Sequence, residues 1–135
     1  MKSQVVINTE GEIIDVDGDN PGSLHDKKIF DESKIISIIP RDIDIMGDSG
    51  YQGIKDYFPR AKIPIKKKRG GQSLNKIQKR HNRKISRERV IVEHTIRKMK
   101  VFKILSEKYR GKRNKHGDIV RTISYFINVQ SGFGF

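Results

Sequence analysis

The residues best suited to chemistry are two carboxylates, Asp48 and Glu93, in contrasting surroundings. Asp48 stands in Gly47-Asp48-Ser49-Gly50-Tyr51, directly after the alternating run DIDIM at 42–46. An acidic residue at the carboxyl end of a strand, followed by a glycine turn, sits where open α/β sheets hold ligands. The same pattern suits an Asx turn or a helix cap equally well. Glu93 lies inside KISRERVIVEHTIRKMKVFKIL, residues 84–105, which reads as one long amphipathic helix. At about 100° per residue, Arg89, Glu93 and Lys100 share one face within roughly 40°. Val92, Ile96 and Met99 form an adjoining apolar stripe, spaced to face a core. Ordinary i,i+4 pairing of Glu93 with Arg89 and Arg97 explains the pattern without any chemistry. If the two carboxylates converge, they offer oxygen ligands to Mg²⁺ or Mn²⁺. Two such ions, ~4 Å apart, can activate a water and stabilise the leaving oxygen in phosphodiester cleavage.

The charge distribution says what surrounds such a site. The chain has 135 residues and a net charge of +13. Residues 1–61 hold 7 Lys/Arg against 12 Asp/Glu, a net −5, whereas residues 62–115 hold 21 against 3, a net +18. A basic half on an acidic half points to a polyanion partner for the second half. No basic helix carries a lipid-facing apolar pattern, so nucleic acid is favoured over an anionic membrane. The runs Lys66–Arg69 (Lys66, Lys67, Lys68, Arg69), 79–89 and 108–115 are the expected phosphate contacts, with Arg83, Arg87, Arg89, Arg97 and Lys100 prominent among them. A merely solvated face is the alternative. With no cysteine, disulfides and thiolate metal sites are excluded. No apolar run approaches the ~18 residues of a membrane span, so the expectation is a soluble, cytoplasmic, nucleoid-associated protein.

The elements that must position these residues follow from the pattern. SQVVIN (3–8) and EIIDV (12–16), separated by Thr9-Glu10-Gly11, give a hairpin. Residues 17–22 read as a loop, and Ser23 as the cap of a short helix over roughly 24–33. Strands are expected at 42–46 and 61–65, the latter at an edge because of Pro64. A helical segment is expected at 51–58, and loops at 66–71 and 109–115. The long helix should follow Ser73, with a break near His81-Asn82. A last helix, 117–129, should place Ile119, Ile123, Phe126 and Ile127 on one face, before a frayed tail at 130–135. The order implies an α/β fold, helices on a mixed sheet.

Several segments together resemble the DDE transposases of bacterial insertion sequences. They are VVINTEGEIIDV, PGSLHDKKIF, DIMGDSGYQG, the stretch RERVIVEHTIRKMKVFKILSEKYRGKRNKHGDIV and the late Asn128. The strongest is Arg-x3-Glu-x6-Lys, here Arg89, Glu93 and Lys100; Ser86 stands where a Tyr usually leads this signature. GDSGYQG is the second anchor. The resemblance implies a ribonuclease-H-like catalytic domain whose metal triad has Asp48 as its second member and Glu93 as its third. It also implies Mg²⁺ or Mn²⁺, DNA strand cleavage and strand transfer, and Arg89 and Lys100 contacting phosphate or orienting Glu93. The first acidic residue and the opening central strand that bears it would lie upstream of SQVVIN.

The expectation is therefore a C-terminal fragment forming one partial catalytic domain over 1–135. It should be marginally stable and inactive alone, unless the missing part or a second transposase chain supplies that strand. His25 and Asp26, in PGSLHD, are accessory candidates near the metals, although a helix start is the commoner role of such an Asp. Asp15-Val16-Asp17-Gly18-Asp19 resembles half of a calcium loop, but Asn20 stands where that loop needs Gly. His81, His94 and His116 lack ligand spacing. The alternative function is a non-catalytic basic nucleic-acid-binding or regulatory module that associates with an intact transposase.

Overall fold

A computed structural model of the chain describes residues 2–106 and 110–133. It divides into two compact units: residues 1–24 with 91–135, and residues 25–90. Both helix and sheet are present, so the fold is mixed α/β; among the described residues the sheet has two antiparallel strands.

The first unit is built on that hairpin. Strand β1 (Lys2–Ile7) pairs with β2 (Ile13–Asn20) through the registers Val5↔Val16 and Ile7↔Ile13. Asn8 closes the turn, its side-chain oxygen accepting from the amides of Glu10 (3.0 Å) and Glu12 (2.9 Å). Strand β2 runs on to Asn20, so most of the expected loop at 17–22 is paired strand. Its partner is the unit's last helix, labelled α6 below (Arg113–Gln130). The helix starts earlier than its apolar periodicity suggested, so the expected basic loop at 109–115 is helical from Arg113; residues 107–109 lie outside the described residues.

A close backbone approach joins helix and strand. A Cβ on Gly18 would lie 3.0 Å from the Gly117 Cα, and one on Gly117 would lie 2.6 Å from an Asp19 oxygen. The Gly117 amide donates to Asp19 Oδ1 at 2.7 Å. His116 is 5% exposed and bonded to the Gly18 carbonyl. The core consists of Ile13, Met99, Val120, Ile123 and Ile127, with Val5, Ile7, Val16, Leu105 and Ile119 packed around it. Phe126, expected on the buried face, is 53% exposed; Val120, Ile123, Ser124 and Ile127 form that face instead. The α6 helix ends in a Schellman motif: Gly132, at φ +87°, and Phe133 donate to the carbonyls of Val129 and Asn128. Of the expected tail, residues 134–135 lie outside the described residues.

The second unit has little regular sheet. Helix α1 (Asp26–Glu32) is capped by His25, whose ring nitrogen accepts from the Lys27 amide, rather than by Ser23. A single turn, α2 (Ile35–Ile38), follows. The two strands expected at 42–46 and 61–65 reduce to one parallel bridge, Met46↔Lys62. Pro64 offers no amide to extend a ladder beyond it. The helix expected at 51–58 is two short 3₁₀ turns, Ser49–Tyr51 and Ile54–Asp56, interrupted by Gly53 at φ +93°. Side-chain packing compensates for the missing ladder. Phe30 meets Tyr51, Tyr57 and Phe58 with ring centroids 6.1, 6.3 and 5.9 Å away. Ile29, Ile35, Ile54, Phe58 and Ile85 are each at most 2% exposed.

Helix α3 (Lys76–Glu88) opens on a capping box, Asn75 accepting from the Gln78 amide while Gln78 accepts from that of Asn75. It passes through His81-Asn82 without a break. Those residues tie it to the strand-like segment beside it: His81 Nε2 lies 3.2 Å from the Ile63 carbonyl oxygen, and Asn82 brackets Ile65. The long helix expected over 84–105 is instead three pieces: the end of α3, α4 (Val90–Lys100) and α5 (Lys103–Ser106). The interruption at Arg89 precedes Val90-Ile91-Val92, three β-branched residues whose side chains crowd the preceding turn.

Candidate functional site

Asp48 lies just beyond the parallel bridge that ties its segment to the one around Lys62. The Lys62 amide donates to Ile45 O at 2.8 Å and the Gly47 amide to Lys62 O at 3.2 Å, so the backbone is fixed up to position 47. Asp48 itself is extended, with φ −74° and ψ 169°, and its side chain makes no cap hydrogen bond to the turn that follows. The carboxylate is therefore not consumed by the Asx or capping role open to it. Ser49 Oγ donates to Asp48 Oδ1 at 3.1 Å, and Arg89 Nη2 lies 3.6 Å from Oδ2. The Asp48 side chain stays 55% exposed, and so long and wet an ion pair contributes ~1 kcal/mol at most.

Arg89 was expected beside Glu93 on one helix face. It pairs with Asp48 instead, because it ends α3 rather than lying within a continuous helix. Among the described residues Glu93 has no ion pair, so the i,i+4 bracket by Arg89 and Arg97 is absent. Glu93 lies exposed in the first turn of α4, with Arg97, Lys98 and Lys100 in its last turn. That arrangement places each charge at the end of the helix dipole that stabilises it.

Asp26 closes over the Asp48 turn from helix α1. A Cβ on Gly50 would lie 2.5 Å from Asp26 Oδ2, so glycine at this position is what admits the carboxylate. Tyr51 follows directly, and its phenol is pushed up to about 12, first by burial and then by the charges of Asp26 and Asp48. His25 has its ring engaged in capping and is exposed.

The cations expected to meet phosphate fall on one loop and two helices. Lys66, Lys67, Lys68 and Arg69 lie in an exposed loop that turns through the Gly71 amide donating to Lys68 O at 2.9 Å; Arg83 and Arg87 are exposed on α3. Arg97 and Lys100 are exposed on α4. Lys76, Lys79 and Arg80 share the outward face of α3 with Arg83, and were passed over as individual contacts. The signal for them was present: Asn75-x-x-Gln78 marks the helix start, and the i, i+3, i+4, i+7 spacing then follows.

Asp48 and Glu93 are hard oxygen donors open to solvent, the donor type a divalent cation takes. Among the described residues, however, no three His, Cys, Asp or Glu side chains gather into a group able to hold a metal ion. No helix among them is long and apolar enough to cross a membrane.

Residues 1–128 match the family described as DDE superfamily endonuclease. The chain is also 36% identical, over 117 residues, to a protein of Microchaete diplosiphon described as a probable transposase for insertion sequence element IS702. That match covers 87% of this chain and 41% of the relative, so the chain spans about two-fifths of the relative's length. No solved structure matches it significantly. With most of its length matched and the GDSGYQG and Arg-x3-Glu-x6-Lys motifs inside the matched span, the chain belongs to the DDE superfamily endonucleases.

Proposed function

We propose that the chain is the C-terminal part of an insertion-sequence transposase, a partial catalytic domain of ribonuclease-H-like kind acting on DNA. The family match over residues 1–128 carries this reading. In it, Asp48 and Glu93 are the catalytic carboxylates that hold Mg²⁺ or Mn²⁺, and a third carboxylate comes from outside these 135 residues, in the missing N-terminal part or a second transposase chain. When bound, the metal supplies polarisation of the scissile phosphate and an acidified water. The protein's own groups do the rest. The fixed backbone at Gly47 and the packing of Gly50 against Asp26 hold Asp48 in place, with His25 starting the helix that bears Asp26. Arg89 neutralises Asp48 in the absence of a cation and is freed to meet phosphate once one binds. Arg97 and Lys100 lie about one and two turns from Glu93 and, with Lys66–Arg69, Arg83 and Arg87, attract the DNA backbone.

The test is Mn²⁺ binding, followed calorimetrically, together with nicking of supercoiled DNA. The chain alone should bind Mn²⁺ weakly, with Asp48→Ala and Glu93→Gln each reducing affinity about tenfold or more, and should leave the DNA uncut. Metal binding indifferent to both substitutions would overturn the site. It would leave the second reading, a non-catalytic nucleic-acid-binding or regulatory module, for which the exposed cations of 66–69 and α3 suffice. Robust nicking abolished by Asp48→Ala would show that no third ligand is needed.

A further inference from the structure

Helix α3 is 13 residues long and carries Lys76, Lys79, Arg80, Arg83, Lys84 and Arg87 against one acid, Glu88. Measured around the helix from Lys76, the cations at 76, 79, 80, 83 and 87 lie within about 100° of arc. All five are exposed, and among the described residues none has an ion pair. The opposite face is the one engaged by the rest of the unit: Ile85 is 2% exposed, and His81 and Asn82 bond to the backbone of Ile63 and Ile65. The cationic face is thus turned away from the unit's own packing.

Nothing in the folded unit explains the stripe. Like charges three and four residues apart repel, and Lys76 at the first position opposes the helix dipole. A face serving solubility alone would intersperse acids, as exposed helices commonly do. A membrane-lying helix would need a free apolar face opposite the charge, and here that face is occupied.

Charge density identifies the partner. From Lys76 to Arg87 the helix rises ~16 Å, so five charges fall about every 4 Å, a density comparable to that of a phosphate strand. One strand of duplex DNA presents a phosphate per ~3.4 Å of axis. We infer that the outward face of α3 is a phosphate track lying along one strand of duplex DNA, with Lys76, Lys79, Arg80, Arg83 and Arg87 as its contacts. This rests on the reading of the chain as DNA-acting and adds to it a specific surface, separate from Asp48 and Glu93. Binding through the track is sequence-independent, because phosphate contacts position a protein without reading bases. Arg89 is not part of it, being held at Asp48.

The experiment is fluorescence anisotropy of the 135-residue chain with a labelled duplex of arbitrary sequence over a series of salt concentrations. The wild type is compared with a track triple, Lys79→Gln/Arg83→Gln/Arg87→Gln, and a control triple of equal charge change, Lys28→Gln/Lys34→Gln/Lys55→Gln, whose sites are exposed and off the track. The track triple should lower the slope of log K against log[salt] by about 2.7, at 0.9 per lost phosphate contact; the control triple should leave it nearly unchanged. Equal losses in both triples, or none in either, overturn the track and leave the transposase reading standing. A wild type that fails to bind duplex overturns both. Track-dependent binding to vesicles rich in anionic phospholipid, without duplex binding, also overturns it. Should the track triple lose helical circular dichroism, lysine acetylation of the wild type decides: duplex should shield Lys76 and Lys79 but not Lys28 or Lys55, and unshielded Lys76 and Lys79 refute the track.

Discussion

In the first unit Asn128, on α6, brackets the peptide of Ile13: its Oδ1 accepts from the Ile13 amide and its Nδ2 donates to the Ile13 carbonyl, both at 2.9 Å. In the second unit Asn82, on α3, does the same to Ile65, at 2.7 and 2.9 Å. A carboxamide presents one donor and one acceptor in the geometry of a neighbouring strand, so each asparagine satisfies a peptide edge that no strand covers. The settings differ. Ile13 is 6% exposed and belongs to the core, whereas Ile65 is 38% exposed. Identical pairs of hydrogen bonds should therefore differ in worth, because what counts is the cost of the orphaned groups rather than the bonds themselves.

The largest expected effect is that of Asn128→Ala. It strands an amide and a carbonyl beside the core, at ~1–3 kcal/mol each, so urea unfolding should report a loss of about 2–6 kcal/mol. That is a large share of the ~5–15 kcal/mol typical of a domain. Asn82→Ala should cost about 1 kcal/mol, since water can take over both bonds to Ile65. Equal losses would mean that Ile65 is shielded in solution and that the contrast between the units is false. An Asn82→Ala loss confined to faster amide exchange at Ile65 would sharpen it.

The same contrast explains what one sequence could and could not disclose. The hairpin and α6 were legible because local signals agreed: two β-branched apolar runs on either side of Thr9-Glu10-Gly11, and apolar residues at 119, 123 and 127, although the same periodicity put Phe126 on the wrong face. The second unit was read less well because tertiary packing outweighs local pattern there. DIDIM alternates like a strand, yet Ile43 is 46% exposed and only Met46 bridges, since Phe30, Tyr51 and Phe58 already provide the burial. Splitting the long helix at Arg89 required weight for Val90-Ile91-Val92, which apolar periodicity alone does not give. The candidate site followed the same division. The glycine turn after Asp48 could be read locally, as could the basic loop at 66–71. The Arg89 partner could not, because helix spacing proposes Glu93 whereas the observed acid comes from a loop remote in sequence. Asp26 was singled out by its motif, but its seat over Gly50 is a tertiary fact.

The smallest effect tests whether aromatic packing or charge holds the Asp48 turn. Tyr51 is raised from 10.0 to about 12, with burial the leading cause and Asp26 and Asp48 secondary ones. Between those two values the unfolded chain gives up this proton while the folded one keeps it. The stabilisation from Tyr51 is thus fully present below pH 10 and lost as pH climbs towards about 12. Phenolate absorbance should show one tyrosine titrating last, and Tyr51→Phe should remove that step. Asp26→Asn deletes one of the two secondary causes, so it should lower the late step while leaving it above the ordinary tyrosine value. A return all the way to 10.0 would make the carboxylates, not the seat against Phe30, the dominant influence on this ring. The second unit would then be organised by charge at the very turn that bears Asp48, and the order of causes given above would be reversed.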